Sequence, residues 1–291
     1  MNSPLLVTGG TGNIGRRVVP LLRAAGRDMR ILSRHPLPSV PGIEHLAGDT
    51  VSGEGLRAAL EGVDVVLHLA GGAKGDDIAA RNLAEAARDA RVGHVVLISV
   101  IGADRMPIGY FRAKAESERS LAASGVPWTV LRAAQLHDFV LPLARGLSRM
   151  PVMLAPGGLR FEPVHGDEVA RRLAELALGA PAGRVPDLAG PEVLDVPTLT
   201  AAYIDAAGSR PRGIRVPLHV PGAIGRAYRA GMNLADETAD HGTVTWRDYV
   251  TQNLTWSRSA EEQRKKLQTD RARDESMASV AGQLRDPVED S

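Results

Sequence analysis

The residues best suited to chemistry begin near the N-terminus. Val7-Thr8-Gly9-Gly10-Thr11-Gly12-Asn13-Ile14-Gly15 follows the apolar run Leu5 to Thr8 and precedes a helical pattern. It satisfies G-x-G-x-x-G through Gly10, Gly12 and Gly15, and G-x-x-G-x-x-G through Gly9, Gly12 and Gly15. Glycine at these spacings lets the chain turn tightly, lets the backbone touch a pyrophosphate, and lets strand and helix pack closely. The free N–H groups and positive dipole end of the next helix would hold the phosphates. Gly9, Thr11, Gly12, Asn13, Ile14 and Gly15 are therefore the expected cradle of a dinucleotide. Tyr110 and Lys114 stand four apart and would share one helix face.

The end of the second strand distinguishes the two nicotinamide dinucleotides. An acid there would grip the ribose 2′-hydroxyl of NAD. The sequence instead reads Ile31-Leu32-Ser33-Arg34-His35-Pro36, and Asp28 falls at the opposite end of that strand. The planar guanidinium of Arg34 suits a 2′-phosphate, and Ser33 adds a hydroxyl donor. The expected cofactor is NADP(H). Asp49, after the third strand, could accept from the adenine amino group or cap the next turn. Leu69, Ala70 and Gly71 end the fourth strand, where small residues leave room for the adenosine ribose.

These residues need a scaffold that brings strand ends together. Apolar runs at Leu5–Thr8, Met29–Leu32, Ile43–Ala47, Val63–Ala70, His94–Ser99 and Trp128–Arg132 read as buried strands. Helical patterns lie between them at Asn13–Ala25, Gly53–Glu61, Ile78–Arg91 and Tyr110–Ala123. Such alternation predicts an α/β fold, a doubly wound parallel Rossmann sheet, over residues 1–133. Residues 134–256, punctuated by proline and glycine, predict a smaller mixed substrate-side region packed on that core. Its helices are expected near Asp167–Leu178, Thr198–Ala207 and Pro221–Gly231, with Met150, Met153, Leu154, Leu159 and Phe161 offering an apolar lining. Residues 257–291 are polar, which predicts a disordered or partly helical tail, the helix falling near Ala260–Arg273.

Thr8 to Gly15, His68-Leu69-Ala70-Gly71 and Tyr110-Phe111-Arg112-Ala113-Lys114 together resemble the short-chain dehydrogenase/reductase superfamily. Leu97 to Asp104, Trp128 to Phe139 and Phe161 to Ala170 resemble its atypical, NmrA-like branch. The resemblance spans residues 4–255. It implies hydride transfer between a nicotinamide and a carbonyl or conjugated carbonyl, with Tyr110 as acid/base and Lys114 as its partner. The lysine ammonium is expected to lower the phenol from its ordinary value near ~10 and to bind the nicotinamide ribose. Ser99 is the implied carbonyl-orienting group, although the second serine common in the superfamily is Val100 here. Arg132, Ala133 and Ala134 would meet the nicotinamide carboxamide, and Gln135, His137 and Asp138 would line the substrate pocket. His165-Gly166-Asp167 reads as a helix cap, and His68 and His94 read as packed strand residues.

Composition removes other classes. The 291 residues carry 35 Lys plus Arg against 34 Asp plus Glu, which gives no reason to expect nucleic acid or an anionic membrane as partner. With no cysteine there are no disulfides or thiolate sites. No His/Asp/Glu cluster has metal spacing. Neither a signal-peptide pattern nor a run of ~20 apolar residues occurs, so a cytoplasmic location is expected. The partners expected are a small-molecule substrate and, as the superfamily implies, a second copy in a homodimer. The leading expectation is an NADPH-dependent reductase of a small apolar carbonyl, quinone or enone. A non-catalytic NADP(H)-binding redox sensor is the alternative, opposed by the intact Tyr-x-x-x-Lys. An NAD-dependent epimerase or dehydratase is opposed by Ser33-Arg34.

Overall fold

The structure is a computed structural model that describes residues 3–72, 75–150, 153–209 and 215–255. The polar tail and the helix expected at Ala260–Arg273 lie outside the described residues, as do the side chains of Met153 and Leu154.

The first half alternates as the apolar runs require. It comprises β1 (Leu5–Thr8), α1 (Gly15–Ala24), β2 (Met29–Ser33), β3 (Ile43–Ala47), α2 (Leu56–Ala59), β4 (Val65–His68), α3 (Asp76–Asp89), β5 (His94–Val100), α4 (Gly109–Ala123) and β6 (Trp128–Ala133). The second half adds α5 (His137–Ser148), β7 (Met153–Pro156), β8 (Arg160–Phe161), α6 (Gly166–Leu178), β9 (Gly183–Arg184), β10 (Leu188–Ala189) and β11 (Leu194–Asp195). It closes with α7 (Val196–Ala206), β12 (Arg215–Leu218), α8 (Gly222–Arg229), β13 (Asp240–His241) and a last helix, α9, over 246–255.

The main sheet is parallel throughout. Its first six strands run β3-β2-β1-β4-β5-β6, the doubly wound order, whose switch point lies between β1 and β4. Alternate side chains go to opposite faces of each strand. Leu5 and Val7 therefore pack with Val18 and Leu22 of α1 and Val169 and Leu173 of α6. Leu6 packs on the other face with Leu83 of α3 and Leu121 of α4. Both faces are covered, which is why the strands read as unbroken apolar runs.

The sheet does not stop at residue 133. Three short strands from the second half, β9, β10 and β13, extend it in parallel beyond β6. The two halves therefore share one sheet. A third core, built from Val140, Ala144, Leu199, Trp246 and Val250, holds α5, α7 and α9 together. The helix α5 is absent from the sequence reading because Pro142 lies inside it. A proline removes one helical N–H, and this helix keeps its place through tertiary packing.

Candidate active site

A cleft of about 900 Å³ opens along the C-terminal ends of the parallel strands. Its glycine-loop end is built from backbone. Gly9 has φ +70°, and a Cβ there would sit 2.6 Å from the Ala70 nitrogen; a Cβ on Gly15 would sit 2.2 Å from the Gly9 carbonyl oxygen. Only glycine fits at either place. Ile14 caps α1 without a side-chain hydrogen bond, so the first-turn N–H groups keep no side-chain partner beside the cleft. Thr8 Oγ1 pairs with His68 Nδ1 at 2.6 Å and accepts from the Ala70 N–H at 3.3 Å, which pins the ends of β1 and β4 together. His68 is a packed strand residue. Burial, then the charge of Lys114, pushes its pKa down to about 3, so it is neutral.

Gly9 and the five residues Thr11 to Gly15 line the cleft, as do Ser33, Arg34, Asp49, Leu69, Ala70 and Gly71. Among the described residues Arg34 has no ion-pair partner. The Ser33 hydroxyl joins a local turn with His35 at 3.2 Å. Asp49 lines the cleft and also accepts from the Val51 N–H at 2.8 Å, so its carboxylate shapes the loop it stands on.

The opposite end is built from side chains. Tyr110 and Lys114 line it from the first turns of α4, Ser99 from β5, and Ala133, Ala134 and Gln135 from the end of β6. Lys114 has a partner that the sequence did not reveal. Its Nζ lies 2.8 Å from Asp76 Oδ2 at the start of α3, and both side chains are buried. The approach is ionic rather than a directed hydrogen bond to Oδ2. The other carboxylate oxygen accepts the Gly72 N–H at 2.6 Å. Gly71 packs on this pair: a Cβ there would lie 3.1 Å from Lys114 Nζ and 3.2 Å from Asp76 Oδ2.

The pair corrects one expectation. The Tyr110 phenol, whose side chain is partly exposed, is not held below its ordinary value. Burial and the Asp76 carboxylate push it up, to about 12. The ammonium is matched at close range by Asp76, so little of its field is left to favour a phenolate.

Ser99 donates its hydroxyl to Glu118 Oε1. Glu118 in turn holds Arg132 at 2.6 Å, and Arg132 holds Asp104 at 2.9 Å. Arg132 is buried in this network and does not line the cleft, whereas Ala133 and Ala134 do. His137 and Asp138 also stand away from it. His137 is fully buried against Tyr249, ring centres 4.7 Å apart, and burial, helped by His165, lowers its pKa to about 4. Asp138 forms a two-oxygen pair with Arg17 at 3.1 Å. Arg17 also holds Asp167 at 2.8 Å and the Asn13 carbonyl at 2.8 Å, tying the glycine loop to α5 and α6. His165 caps α6 by accepting the Asp167 N–H. Both residues missed the pocket because the first turn of α5 directs them toward α1 and α9, while Phe139, between them and the next turn, faces the cleft.

Phe111, Phe139 and Tyr228 are aromatic lining residues to which the sequence reading gave no role in the site. Met150, Leu159 and Phe161 do not line the cleft; Phe161 stands behind Tyr228, ring centres 5.8 Å apart. Nothing in the local spacing of Phe139 or Tyr228 marks them, since α5 and α8 meet α4 only in the fold. Asp76 carried a weak signal, as an acid in the first turn after β4.

Residues 9–174 match the model of a family described as NAD(P)H-binding. A (4-alkanoyl-5-oxo-2,5-dihydrofuran-3-yl)methyl phosphate reductase of Streptomyces griseus is 32% identical over 206 residues, covering 68% of this chain and 71% of the relative. An NAD(P)H azoreductase of Xenophilus azovorans is 28% identical, covering 81% and 84%. The crystal structure of an NADPH-dependent quinone oxidoreductase from Escherichia coli in complex with NADPH superimposes with a TM-score of 0.71 at 22% identity, covering 85% of this chain and 99% of that one. The chain belongs to the NAD(P)H-binding family. It is an NAD(P)H-dependent oxidoreductase with a Rossmann-like fold. No helix among the described residues is long and apolar enough to cross a membrane.

Proposed function

We propose that the protein is an NADPH-dependent reductase of planar conjugated acceptors such as quinones, enones and aryl carbonyls. One observation carries this reading: one cleft is lined by Arg34 at one end, without an ion-pair partner among the described residues, and by Tyr110 and Lys114 at the other. The residues present fit the dinucleotide on three counts. The Gly9–Gly15 cradle excludes any Cβ at its two tightest points. Arg34, without an ion-pair partner among the described residues, would take a 2′-phosphate bidentately. Both amide atoms of Gln135 are buried without a hydrogen-bond partner, and a carboxamide or acceptor oxygen would supply one.

The bound nicotinamide supplies the hydride. Arg34 and the glycine loop would hold the dinucleotide at its phosphates, and Lys114 would donate to its ribose hydroxyls. Tyr110 delivers the proton: its Oη–H bond breaks as an O–H bond forms on the acceptor oxygen, and the phenolate left behind takes a proton from solvent. A phenol near 12 is fully protonated at neutral pH, so it serves as donor and not as base. Ser99 supports this arrangement indirectly, by anchoring Glu118 beneath β5.

Acceptor choice follows from the walls. The sequence has ten aromatic residues (three Phe, four Tyr, three Trp), and four of them, Tyr110, Phe111, Phe139 and Tyr228, line this one cleft. Aromatic faces favour flat conjugated partners. The test is NADPH consumption with a panel of quinones, enones, aryl aldehydes and aliphatic ketones. Turnover with the flat acceptors at matched NADPH supports the reading. Turnover confined to aliphatic ketones, or equal use of NADH, overturns it.

A further inference from the structure

We propose that Arg17 is a positioning residue of the active site: its guanidinium fastens the glycine loop at Asn13 to the first turn of α5 at Asp138, and so holds Phe139, the next residue, in place as a wall of the acceptor pocket. The inference deepens the reductase reading above and rests on it only for the identity of what Phe139 meets.

A guanidinium carries five N–H donors in a rigid plane. Arg17 places all of them inside the protein. Nε donates to Asp167 Oδ1 at 2.8 Å. Nη1 donates to the Asn13 carbonyl at 2.8 Å and also to the Asn13 side-chain oxygen. Nη2 donates to both carboxylate oxygens of Asp138 at 3.1 Å. Arg17 does not line the cleft, and it has no donor left for a phosphate. It acts on a ligand only through the residues it grips.

The position is not one that α1 favours. Residue 17 lies in the first turn, where the positive end of the helix dipole opposes a cation, and no acid in that turn offsets it. The offset comes from Asp138 of α5 and Asp167 of α6. The α6 backbone leaves a slot for the guanidinium: a Cβ on Gly166 would lie 2.9 Å from Arg17 Nε and 3.0 Å from its Cζ. A lysine, with one nitrogen on a flexible stem, could not span the same three segments.

Both ends of the clamp reach the cleft. Asn13 lines it directly, and Asp138 stands one residue before Phe139. Phe139 is 68% exposed, so little packing of its own fixes the ring. The turn beneath it does so instead. Phe139 N–H donates to the Leu136 carbonyl at 2.9 Å, and His137 N–H donates to the Val164 carbonyl at 3.0 Å. Arg17 adds the hold on Asp138, where the Tyr249 hydroxyl is a longer contact at 3.4 Å. Breaking the Arg17–Asp138 contact releases Phe139 and leaves Asn13 gripped; removing the guanidinium loosens both.

The test uses the full-length protein grown with 4-fluorophenylalanine. The three Phe give three fluorine signals, and Phe139→Leu assigns one of them. Menadione, a flat quinone, is titrated into the NADP+-loaded protein, which has no hydride to give, and NADP+ affinity is measured by calorimetry. Asp138→Asn should weaken menadione by about tenfold, the effect of one hydrogen bond to a charged group. It should leave NADP+ within about twofold, as for an ordinary surface substitution. Arg17→Met should weaken both ligands by about tenfold or more. Should that variant fail to fold, Arg17→Lys should show the same double loss. Asp138→Asn that binds menadione as the wild type does, or loses NADP+ in step with it, overturns the proposal. So does an Arg17→Lys protein that binds both ligands normally. The ligand-free protein supplies a readout that needs no acceptor. In Asp138→Asn the Phe139 signal should shift or broaden while those of Phe111 and Phe161 hold their positions, a pattern that general loosening of the fold would not produce. If menadione does not bind the wild type, the flat-acceptor reading falls; the clamp then stands on a displaced Phe139 signal and falls on an unmoved one.

Discussion

The two ends of the cleft are made of different material. The glycine-loop end is backbone: tight turns, uncapped N–H groups and two glycines that admit no Cβ. Its residues lie within one turn of chain, from Thr8 to Gly15. The end proposed for the nicotinamide is side chain: Tyr110, Lys114, Asp76, Gln135 and an aromatic rim drawn from α4, α5 and α8. The first end tolerates almost no change, because its atoms have nowhere to go. The second is set by charge balance and can be retuned residue by residue. One end of the cleft is thus built on backbone geometry, the other on charged and aromatic side chains.

Substitutions at each end can break this contrast. The largest effect is expected from Gly15→Val, whose Cβ would meet the Gly9 carbonyl oxygen. NADPH binding, followed by fluorescence titration, should be lost altogether; retained affinity would mean that the loop has slack. Next is Tyr110→Phe, which should lower kcat by roughly 10²–10⁴-fold, the range for a lost general acid. Its NADPH affinity should match the wild type, and a parallel loss of both would blur the division between the two ends. Arg34→Ala should weaken NADPH by about tenfold or more, since a hydrogen bond to a charged group contributes about 1.5–3 kcal/mol. NADH should bind both proteins alike, as calorimetry would show. The smallest effect is expected from Ser33→Ala. Its hydroxyl already belongs to the turn with His35, so the change in NADPH binding should stay within about 0.5 kcal/mol, as for an ordinary surface substitution. A loss as large as that of Arg34→Ala would assign the hydroxyl to the phosphate.

The same contrast explains what could be read from the sequence. The six core strands and the glycine loop were legible because their determinants are local: apolar runs for strands buried on both faces, glycine spacing for the turn. Tyr110 and Lys114 were legible because four residues make one helical turn. Asp76 was not, because it meets Lys114 across 38 residues of chain and only through the packing of α3 against α4. Phe139 and Tyr228 were hidden for the same reason. His137 and Asp138 stand two residues and one residue before Phe139, the lining position. On a helix a single step turns a side chain by about 100°, enough to exchange the cleft for the Arg17 and Tyr249 contacts. Arg132 precedes the lining residue Ala133 on β6, where neighbours face opposite ways.

The most direct test of the account follows the hydride itself. The protein would be given NADPH carrying deuterium at the transferable C4 position, with a conjugated enone or an aryl aldehyde as acceptor, and the product examined by mass spectrometry. The account predicts one deuterium on a carbon of the reduced product, at a rate that collapses in Tyr110→Phe while the cofactor still binds. Bound NADPH with no label transferred to any flat acceptor would contradict it.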